Sequence, residues 1–524
     1  MLGLVVLVGC SRGATEVRPQ PAPVAAPGPE VVQTADGAVR GFVGPGYRVF
    51  EGIPYAAAPV GPLRWQPPKP AAPWPGVRDA TKPGIRCIQD TNFDPDYGRP
   101  TGEDCLNLNV WTPDGASQSS RKPVMVWIHG GGFLNGSADI YDARWMATQG
   151  DIVVVTVNYR LGALGFLAHP ALSPDGNVGN YGLADQQAAL RWVRDNVGEF
   201  GGDPSKVTIA GESAGAMSVC DHLVAPDSAG LFRAAILQSG PCQAQADRVT
   251  GEQVSTDYAT GAGCSDPATI AACLRALPTQ ELRRAPLYVG FGPDKLTGPV
   301  TGTDRLPVDP MTDIALSRVP KIPVLNGSNG DEFAMFAALQ YLKDHGLPPY
   351  PKLLADTFGP DAPAVAAHYP VEVFGGSEGL AYSAAVTDSI FACPTDRLTT
   401  GLAHTNPVYA YEFNDRTAPA PDPLRAVPFP VGASHSLELR YLFDVGGAPP
   451  LNPAQRELSD KMIAYWSQFV KDGKPEVSGL PNWPQFGAEG AAKRMSLQTA
   501  QLTLTEDFGT HHNCAFWATL KGSR

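Results

Sequence analysis

Residues 207–211 read VTIAG, an apolar run of strand length, and the chain continues as ESAGAMSVCDHLV into a segment of helical character. A strand, a tight turn with a serine between two glycines, and a helix restrict the backbone more than any other feature of this chain. Such a turn holds its serine in a strained conformation, and the flanking glycines let strand and helix pass without Cβ clashes. It is the geometry of a nucleophile turn at the end of a sheet strand. The helix N-terminus also offers free N–H groups to a developing anion. The pattern G-x-S-x-G alone is cheap in a chain with 56 glycines. It recurs as GCSRG at residues 9–13 and GGSEG at residues 375–379. Ser11 has no strand or helix around it, and Ser377 follows VEVF, a weaker strand candidate that can equally be a surface turn. Context selects Ser213.

Other segments extend the same architecture. PVMVWIHG (residues 123–130), DIVVVTVNYR (151–160), AAILQSG (234–240), IPVLNGSNGDE (322–332) and VYAYEF (408–413) are strand-length runs with continuous apolar character. That pattern predicts strands buried on both faces of a parallel sheet. LADQQAALRWVRDNVGEF (183–200) sets Leu183, Leu190, Val193, Val197 and Phe200 at helical spacing, and AQRELSDKMIAYWSQFVKDG (454–473) is a second amphipathic helix. Alternating strands and helices predict an α/β fold, a central mostly parallel sheet flanked by helices. Its functional loops belong at the carboxyl ends of the strands. HGGGF at residues 129–133 directly follows one such strand. Its three glycines leave N–H groups free to converge on one point, as an oxyanion hole for acyl transfer requires.

A net charge of −12 argues against nucleic acid as a partner, because phosphate backbones reward basic patches. The first ten residues, MLGLVVLVGC, are apolar and end in a lipobox-like LVGC, which predicts a lipoprotein-type signal over residues 1–10 with Cys10 as the lipidated residue. Residues 11–30 form a Pro/Ala-rich linker that favours extended conformations. No comparable break follows, so residues 31–519 read as one large domain. Without Cys10 eight cysteines remain. None forms a C-x-x-C pair and the histidines are not clustered among them, which argues against zinc and for disulfides in an oxidising compartment.

The run FGGDPSKVTIAGESAG (200–215) resembles the serine signature of the type-B carboxylesterases, the family of cholinesterases and bacterial para-nitrobenzyl esterases. EDCLNLNVWTP (103–113) resembles its second signature, with Asn107 where an aromatic or threonine is usual. The likeness runs from VRGFVG near Val39 to HHNCAFW at residues 511–517. It implies an α/β-hydrolase fold and a serine carboxylesterase that uses no metal or organic cofactor. It implies Ser213 as nucleophile, His435 as base, and an acid in SNGDEFAMF. The family motif favours Glu332 over Asp331, although it usually has glycine where this chain has Phe333. The chain order Ser, acid, His is that of the fold. Gly131, Gly132 and Ala214 align with the oxyanion donors, Glu212, Ser239 and Glu438 with a buried supporting network, and Arg64 and Glu103 with a scaffold ion pair. The resemblance also implies disulfides joining Cys87 to Cys105, Cys264 to Cys273 and Cys393 to Cys514. Cys220 and Cys242 are left as a fourth bridge or two buried thiols. His511 and His512 read as a solvated pair in a polar C-terminal turn.

Three functions compete. One is an exported esterase of neutral esters with short to medium acyl chains, reaching a membrane only through an N-terminal lipid anchor. The second is a lipase of longer acyl chains, which the short polar loop 88–104 disfavours. The third is a binding-only member of the fold, which would lack a triad residue. The loop from Cys87 to Cys105 holds Phe93 and Tyr97 but no tryptophan to stack on a choline cation, so a cholinesterase is not expected.

Overall fold

The computed structural model describes residues 28–89, 98–173, 177–292 and 294–520. The apolar N-terminal run, Cys10, residues 11–27 of the linker, Phe93 and Tyr97 lie outside the described residues.

Eleven strands form the main sheet: β1 (Phe42–Gly44), β2 (Tyr47–Pro54), β3 (Asn107–Pro113), β4 (Lys122–Ile128), β5 (Val153–Val157), β6 (Gly202–Glu212), β7 (Ala234–Gln238), β8 (Val324–Asn329), β9 (Val408–Phe413), β10 (Arg494–Leu497) and β11 (Thr503–Thr505). Their spatial order is β11-β10-β9-β8-β7-β6-β4-β5-β3-β2-β1. From β5 through β4, β6, β7, β8 and β9 to β10 every neighbouring pair is parallel. β11 at one edge and β3, β2 and β1 at the other pair antiparallel.

The apolar runs explain this layering. Met125 and Trp127 of β4 join one core cluster, while Val124, Val126 and Ile128 join the other. β9 divides the same way, with Tyr409 and Tyr411 on one face and Val408 and Ala410 on the opposite one. Successive side chains alternate across a strand, so a strand apolar at every position must be covered on both sides. Helices α1 (Tyr181–Asn196) and α2 (Ala214–Val224) cover one face. α3 (Glu378–Val386) and α5 (Pro453–Asp472) pack into the cluster on the other, and between them α4 (Cys393–Ala403) contributes Cys393 to this cluster and Leu398 to the first. α5 starts from a reciprocal capping pair, Asn452 with Gln455, and stops at Gly473 with φ 73°. The helix expected to reach Phe200 ends at Asn196. Its last turn tightens into a 3-10 segment, Val197–Phe200, closed by Gly201 at φ 91°.

One open reading is settled and one expectation changes. The weak strand before GGSEG is a single 3-10 turn, Val371–Phe374, and Ser377 caps α3 by accepting from the Leu380 N–H at 3.3 Å. His511 is exposed, but His512 is buried and not solvated. Its Nδ1 lies 2.5 Å from Asp388 Oδ1 and its Nε2 lies 2.6 Å from Glu412 Oε1. The polar look of the C-terminal run hid a fold-back onto β9, where two buried carboxylates need a cation.

All eight cysteines among the described residues are paired. Cys87–Cys105, Cys264–Cys273 and Cys393–Cys514 form as the resemblance implied, and Cys220 joins Cys242 as the fourth bridge. The bridge from Cys393 to Cys514 spans 121 residues and that from Cys264 to Cys273 spans 9. In the chain-entropy picture these contribute about 5 and about 3 kcal/mol. Arg64 and Glu103 form a two-pronged ion pair, Nε to Oε2 at 2.8 Å and Nη2 to Oε1 at 2.5 Å. Arg64 also donates to the carbonyls of Arg275 and Leu277. Among the described residues no helix is long and apolar enough to cross a membrane.

Candidate active site

β6 ends at Glu212, α2 opens at Ala214, and Ser213 between them has φ 54° and ψ −123°. Few non-glycine residues adopt that conformation, and here the surrounding bonds impose it. The Ser213 N–H donates to the Gln238 carbonyl of β7 at 2.8 Å, and its carbonyl accepts the first helical bond from Met217 at 2.9 Å. Both flanking glycines are required by space. A Cβ on Gly211 would stand 2.4 Å from the carbonyl carbon of Gly215, and one on Gly215 would stand 2.0 Å from the Ile128 carbonyl oxygen. Ile128 ends β4, so the turn is pressed against the start of HGGGF. A Cβ on Gly130 would meet Ser213 Cβ at 3.0 Å. Gly131 and Gly132 adopt φ 102° and 62°. No acceptor among the described residues takes the N–H of Gly131, Gly132 or Ala214.

Glu332 and His435 arrive from the ends of neighbouring strands, β8 and β9. Glu332 Oε2 lies 2.6 Å from His435 Nδ1, and both side chains are buried. Glu332 Oε1 accepts the Asn329 N–H at 2.8 Å, and the His435 N–H donates to the Glu332 carbonyl at 3.2 Å. Asp331 turns the other way. Its Oδ2 accepts from Arg416 Nε and the Ala433 N–H, each at 2.9 Å. The structure thus brings Glu332 and not Asp331 to the imidazole. A carboxylate at Nδ1 fixes the proton there and leaves Nε2 as the ring's acceptor.

Three further side chains named from the sequence gather at the site. Nε2 of His435 is 3.1 Å from Glu212 Oε1, within ion-pair reach, but makes no hydrogen bond among the described residues. Glu212 Oε1 accepts from Ser436 Oγ at 2.5 Å. Glu438 accepts from Asn329 Nδ2 at 2.6 Å and from Gln238 Nε2 at 3.1 Å. Ser239 is buried with φ 54°, and its N–H donates to the Gly327 carbonyl, but its hydroxyl has no partner among the described residues. Burial alone would push the His435 imidazole down. Glu212, Glu332 and Glu438 outweigh it and hold the ring up at about 9. Burial and the charge of Glu212 push the Glu438 carboxyl up to about 8, and burial raises Glu212 as well. Like charges in one dry site resist ionising together, so the cluster holds protons that isolated carboxylates would release.

Sequence reasoning missed Asn329, Gln238, Ser436 and the rings against His435. Phe336 and Phe391 stand 5.1 and 5.0 Å from the His435 ring. Asn329 was within sight, three residues before Glu332 in the same strand-end loop, but nothing in sequence places Gln238 or Phe391 beside residues so distant in the chain. The unusual Phe333 is buried among Phe291, Phe336 and Tyr382, and its N–H donates to Thr387 Oγ1 at 2.9 Å. Asn107 donates to the carbonyls of Ile85 and Cys105, a role in the scaffold. A cleft of about 360 Å³ lined by Gly52, Arg78, Ile85, Arg99 and Asn107 shares no residue with this site. Among the described residues no group of His, Cys, Asp and Glu side chains is arranged to hold a metal ion.

The carboxylesterase family matches residues 28–355 and 374–517. Fumonisin B1 esterase of Sphingopyxis macrogoltabida is 35% identical over 485 residues, covering 88% of this chain and 86% of its own. Acylcarnitine hydrolase of Rattus norvegicus is 34% identical over 485 residues, covering 87% and 84%. Among solved structures a thermophilic PNB (para-nitrobenzyl) esterase superposes with a TM-score of 0.78 at 30% identity, over 93% of this chain and 99% of its own. The chain therefore belongs to the carboxylesterase family and is a carboxylic ester hydrolase of the α/β-hydrolase fold.

Proposed function

We propose that this chain is an exported esterase that hydrolyses neutral carboxylic esters of short to medium acyl length. Ser213 is the nucleophile, His435 the general base and acid, and Glu332 the carboxylate that orients the imidazole. The observation that carries the reading is the 2.6 Å contact between Glu332 and His435 Nδ1, inside the buried cluster that includes Glu212, the residue before Ser213.

Ser213 Oγ attacks the ester carbonyl carbon while His435 Nε2 takes its proton. Negative charge moves to the carbonyl oxygen, where the N–H groups of Gly131, Gly132 and Ala214 receive it. Each such donor is worth roughly 3–4 kcal/mol in the transition state. His435 then protonates the departing alkoxide as the C–O bond breaks. Water attacks the acyl-serine, His435 takes the proton, and Ser213 is released with the free acid. Glu212, beside Nε2, stabilises the imidazolium that forms in both halves. The phenyl rings at His435 favour uncharged substrate groups near the reacting centre. Four disulfides support an oxidising compartment. Residues 31–519 are taken as one catalytic domain, and residues 1–10 as the signal of a lipoprotein anchored at Cys10.

A fluorophosphonate probe should label the folded protein once, on the peptide that contains Ser213. Ser213→Ala should abolish labelling and hydrolysis while thermal unfolding stays nearly unchanged, and Ser377→Ala should keep full activity. Loss of activity in the Ser377 variant alone would overturn the assignment.

The acid side of the pH profile follows from the raised imidazole. His435 must be neutral to accept the serine proton, so kcat should fall as pH drops through a midpoint above the ordinary histidine value of about 6.5. Glu212→Gln removes a charge that favours the imidazolium. It should lower the midpoint by on the order of one pH unit. An unmoved or raised midpoint contradicts this account.

Substrate class is tested by kcat/KM for butyrylcholine against an uncharged butyrate ester of equal size. The neutral ester should be preferred, and a strong preference for the choline ester would reveal a cation site. For the anchor, the intact mass of membrane-fraction protein should carry added acyl groups at Cys10. A wholly soluble exported chain with unmodified Cys10 would remove the anchor.

A further inference from the structure

His512 is the one buried histidine outside the catalytic cluster that bridges two carboxylates. Asp388 Oδ1 meets its Nδ1 at 2.5 Å and Glu412 Oε1 meets its Nε2 at 2.6 Å. The remaining oxygens are also satisfied. Tyr369 donates its hydroxyl to Asp388 Oδ2 at 2.6 Å and is itself held by Trp517 Nε1 at 2.7 Å, while Asn414 Nδ2 donates to Glu412 Oε2 at 2.9 Å. Burial acts to push the imidazole down, yet the two carboxylates hold it up at about 10. The titratable and charged groups facing this cluster from nearby are His511 toward both carboxylates, and Arg416 and Arg494 toward Glu412. Neutral water thus leaves a charged His512 inside the protein, paired on both ring nitrogens.

Asp388 belongs to an unusual stretch. Residues Thr387–Ala392 form a π-helical turn between α3 and α4. Turns of this kind are rare, short and frequent at functional sites. This one touches the catalytic cluster directly once and the loops that carry it twice. Phe391 packs its ring 5.0 Å from the His435 ring. Thr387 Oγ1 accepts from the N–H of Phe333, the residue after Glu332, at 2.9 Å. The Ile390 carbonyl accepts from Gln243 Nε2 at 2.9 Å, and Gln243 lies in the loop after β7 that carries Ser239. The turn is pinned at its C-terminal side by the bond from Cys393 to Cys514. At its N-terminal side Asp388 is held by His512, two residues before Cys514. Relaxation to an ordinary α-helix shifts the register by one residue and rotates Phe391 by about 100° away from the base.

We propose that His512 is a positioning residue for ester hydrolysis: clamped between Asp388 and Glu412, it holds the π-helical turn that sets Phe391 against His435 and Thr387 against the Glu332 loop. This rests on the assignment of Ser213, Glu332 and His435 as the triad. His512 touches no substrate. It acts on the orientation of the base, so its loss falls on kcat more than on KM.

The test compares the wild type with His512→Gln, Phe391→Leu and the double variant. Circular dichroism, fluorophosphonate labelling, and kcat and KM on p-nitrophenyl butyrate are measured across pH. His512→Gln should stay folded and still accept one label per chain. Its labelling rate and kcat should drop by roughly tenfold or more, the scale of a small misplacement of reacting groups. KM should stay within about twofold, the pattern of an interaction lost from the transition state. The acid-limb midpoint of kcat should shift with it. The double variant should lose little beyond the larger single loss, because the His512 change already removes the contact that Phe391 makes. Wild-type kcat and pH profile in a folded His512→Gln protein, or losses that multiply in the double variant, would overturn the proposal. If His512→Gln does not fold, Thr387→Val leaves the buried cluster intact while cutting its link to the Glu332 loop. That variant should reproduce the fall in kcat, and wild-type kcat there also overturns it. Absence of label from the wild type itself would overturn the Ser213 assignment and this proposal together, whereas equal labelling with unchanged kcat overturns this proposal alone.

Discussion

The carbonyl oxygen of Ile128 and the Cα of Gly215 approach so closely that any side chain at 215 would meet that oxygen at 2.0 Å. The site depends on this backbone contact. It forces the turn after β6 against the loop after β4, two strands that lie side by side and parallel. Parallel pairing puts both carboxyl ends at the same edge of the sheet. The proposed nucleophile and oxyanion donors are therefore set by main-chain atoms of a rigid scaffold, with no rotatable side chain between them. Such placement costs nothing to reorganise when the reaction begins. The positive φ of Ser213 is the strain that this closeness imposes, while Gly131 and Gly132 take their positive φ at no steric cost.

The proposed acid and base, Glu332 and His435, answer to a different constraint. They come from β8 and β9, whose loops share the same sheet edge with the turn after β6. Here the difficulty is electrostatic. Glu212, Glu332 and Glu438 surround a single imidazole, and all four side chains are buried. Buried carboxylates are tolerated only when hydrogen-bonded or protonated. Asn329 serves two of them, with its N–H on Glu332 and its side chain on Glu438. Ser436 serves Glu212, and Gln238, itself held by Trp466 Nε1 at 2.9 Å, serves Glu438. The network raises the imidazole because the negative charge has nowhere else to go. In the proposed mechanism an imidazole that is easier to protonate is a stronger base toward the serine, at the expense of activity in acid.

What could be read from the sequence follows the range of the physics involved. The turn at Ser213 and the glycines of HGGGF are local, since each demands particular backbone angles from consecutive residues. Unbroken runs such as VVVTV in β5 report burial on both faces, which suffices for a parallel sheet with helices on either side. The pairing of Glu332 with His435 spans 103 residues. Nothing local encodes it, and the family resemblance supplied it. His512 marks the limit. Its neighbours in HHNCAFW are polar or aromatic in no telling order, and its carboxylates lie 124 and 100 residues away. A buried ion cluster built from three distant segments has no signature in any one of them. VEVF before GGSEG is ambiguous for the opposite reason, because its β-branched residues favour a strand while Pro370 and the glycines after Phe374 curl the segment into a turn.

The same division separates chemistry from selectivity. Reaction type is carried by groups whose positions the backbone dictates, and these are the groups that short motifs can encode. The surroundings of the reacting centre are carried by Phe291, Phe333, Phe336 and Phe391, which come from a short hairpin strand, the helix after Glu332 and the π-helical turn. Their rings pack edge-on or tilted against one another at 5.3–6.4 Å, with only Phe336 and Phe391 nearly parallel. Aromatic clusters of this kind tolerate exchange of size between neighbours as long as total volume is kept. The apolar wall at His435 is therefore built from segments separate from Ser213 and the loop of Gly131 and Gly132. A family built on this fold can keep one mechanism while its members diverge in the esters they accept.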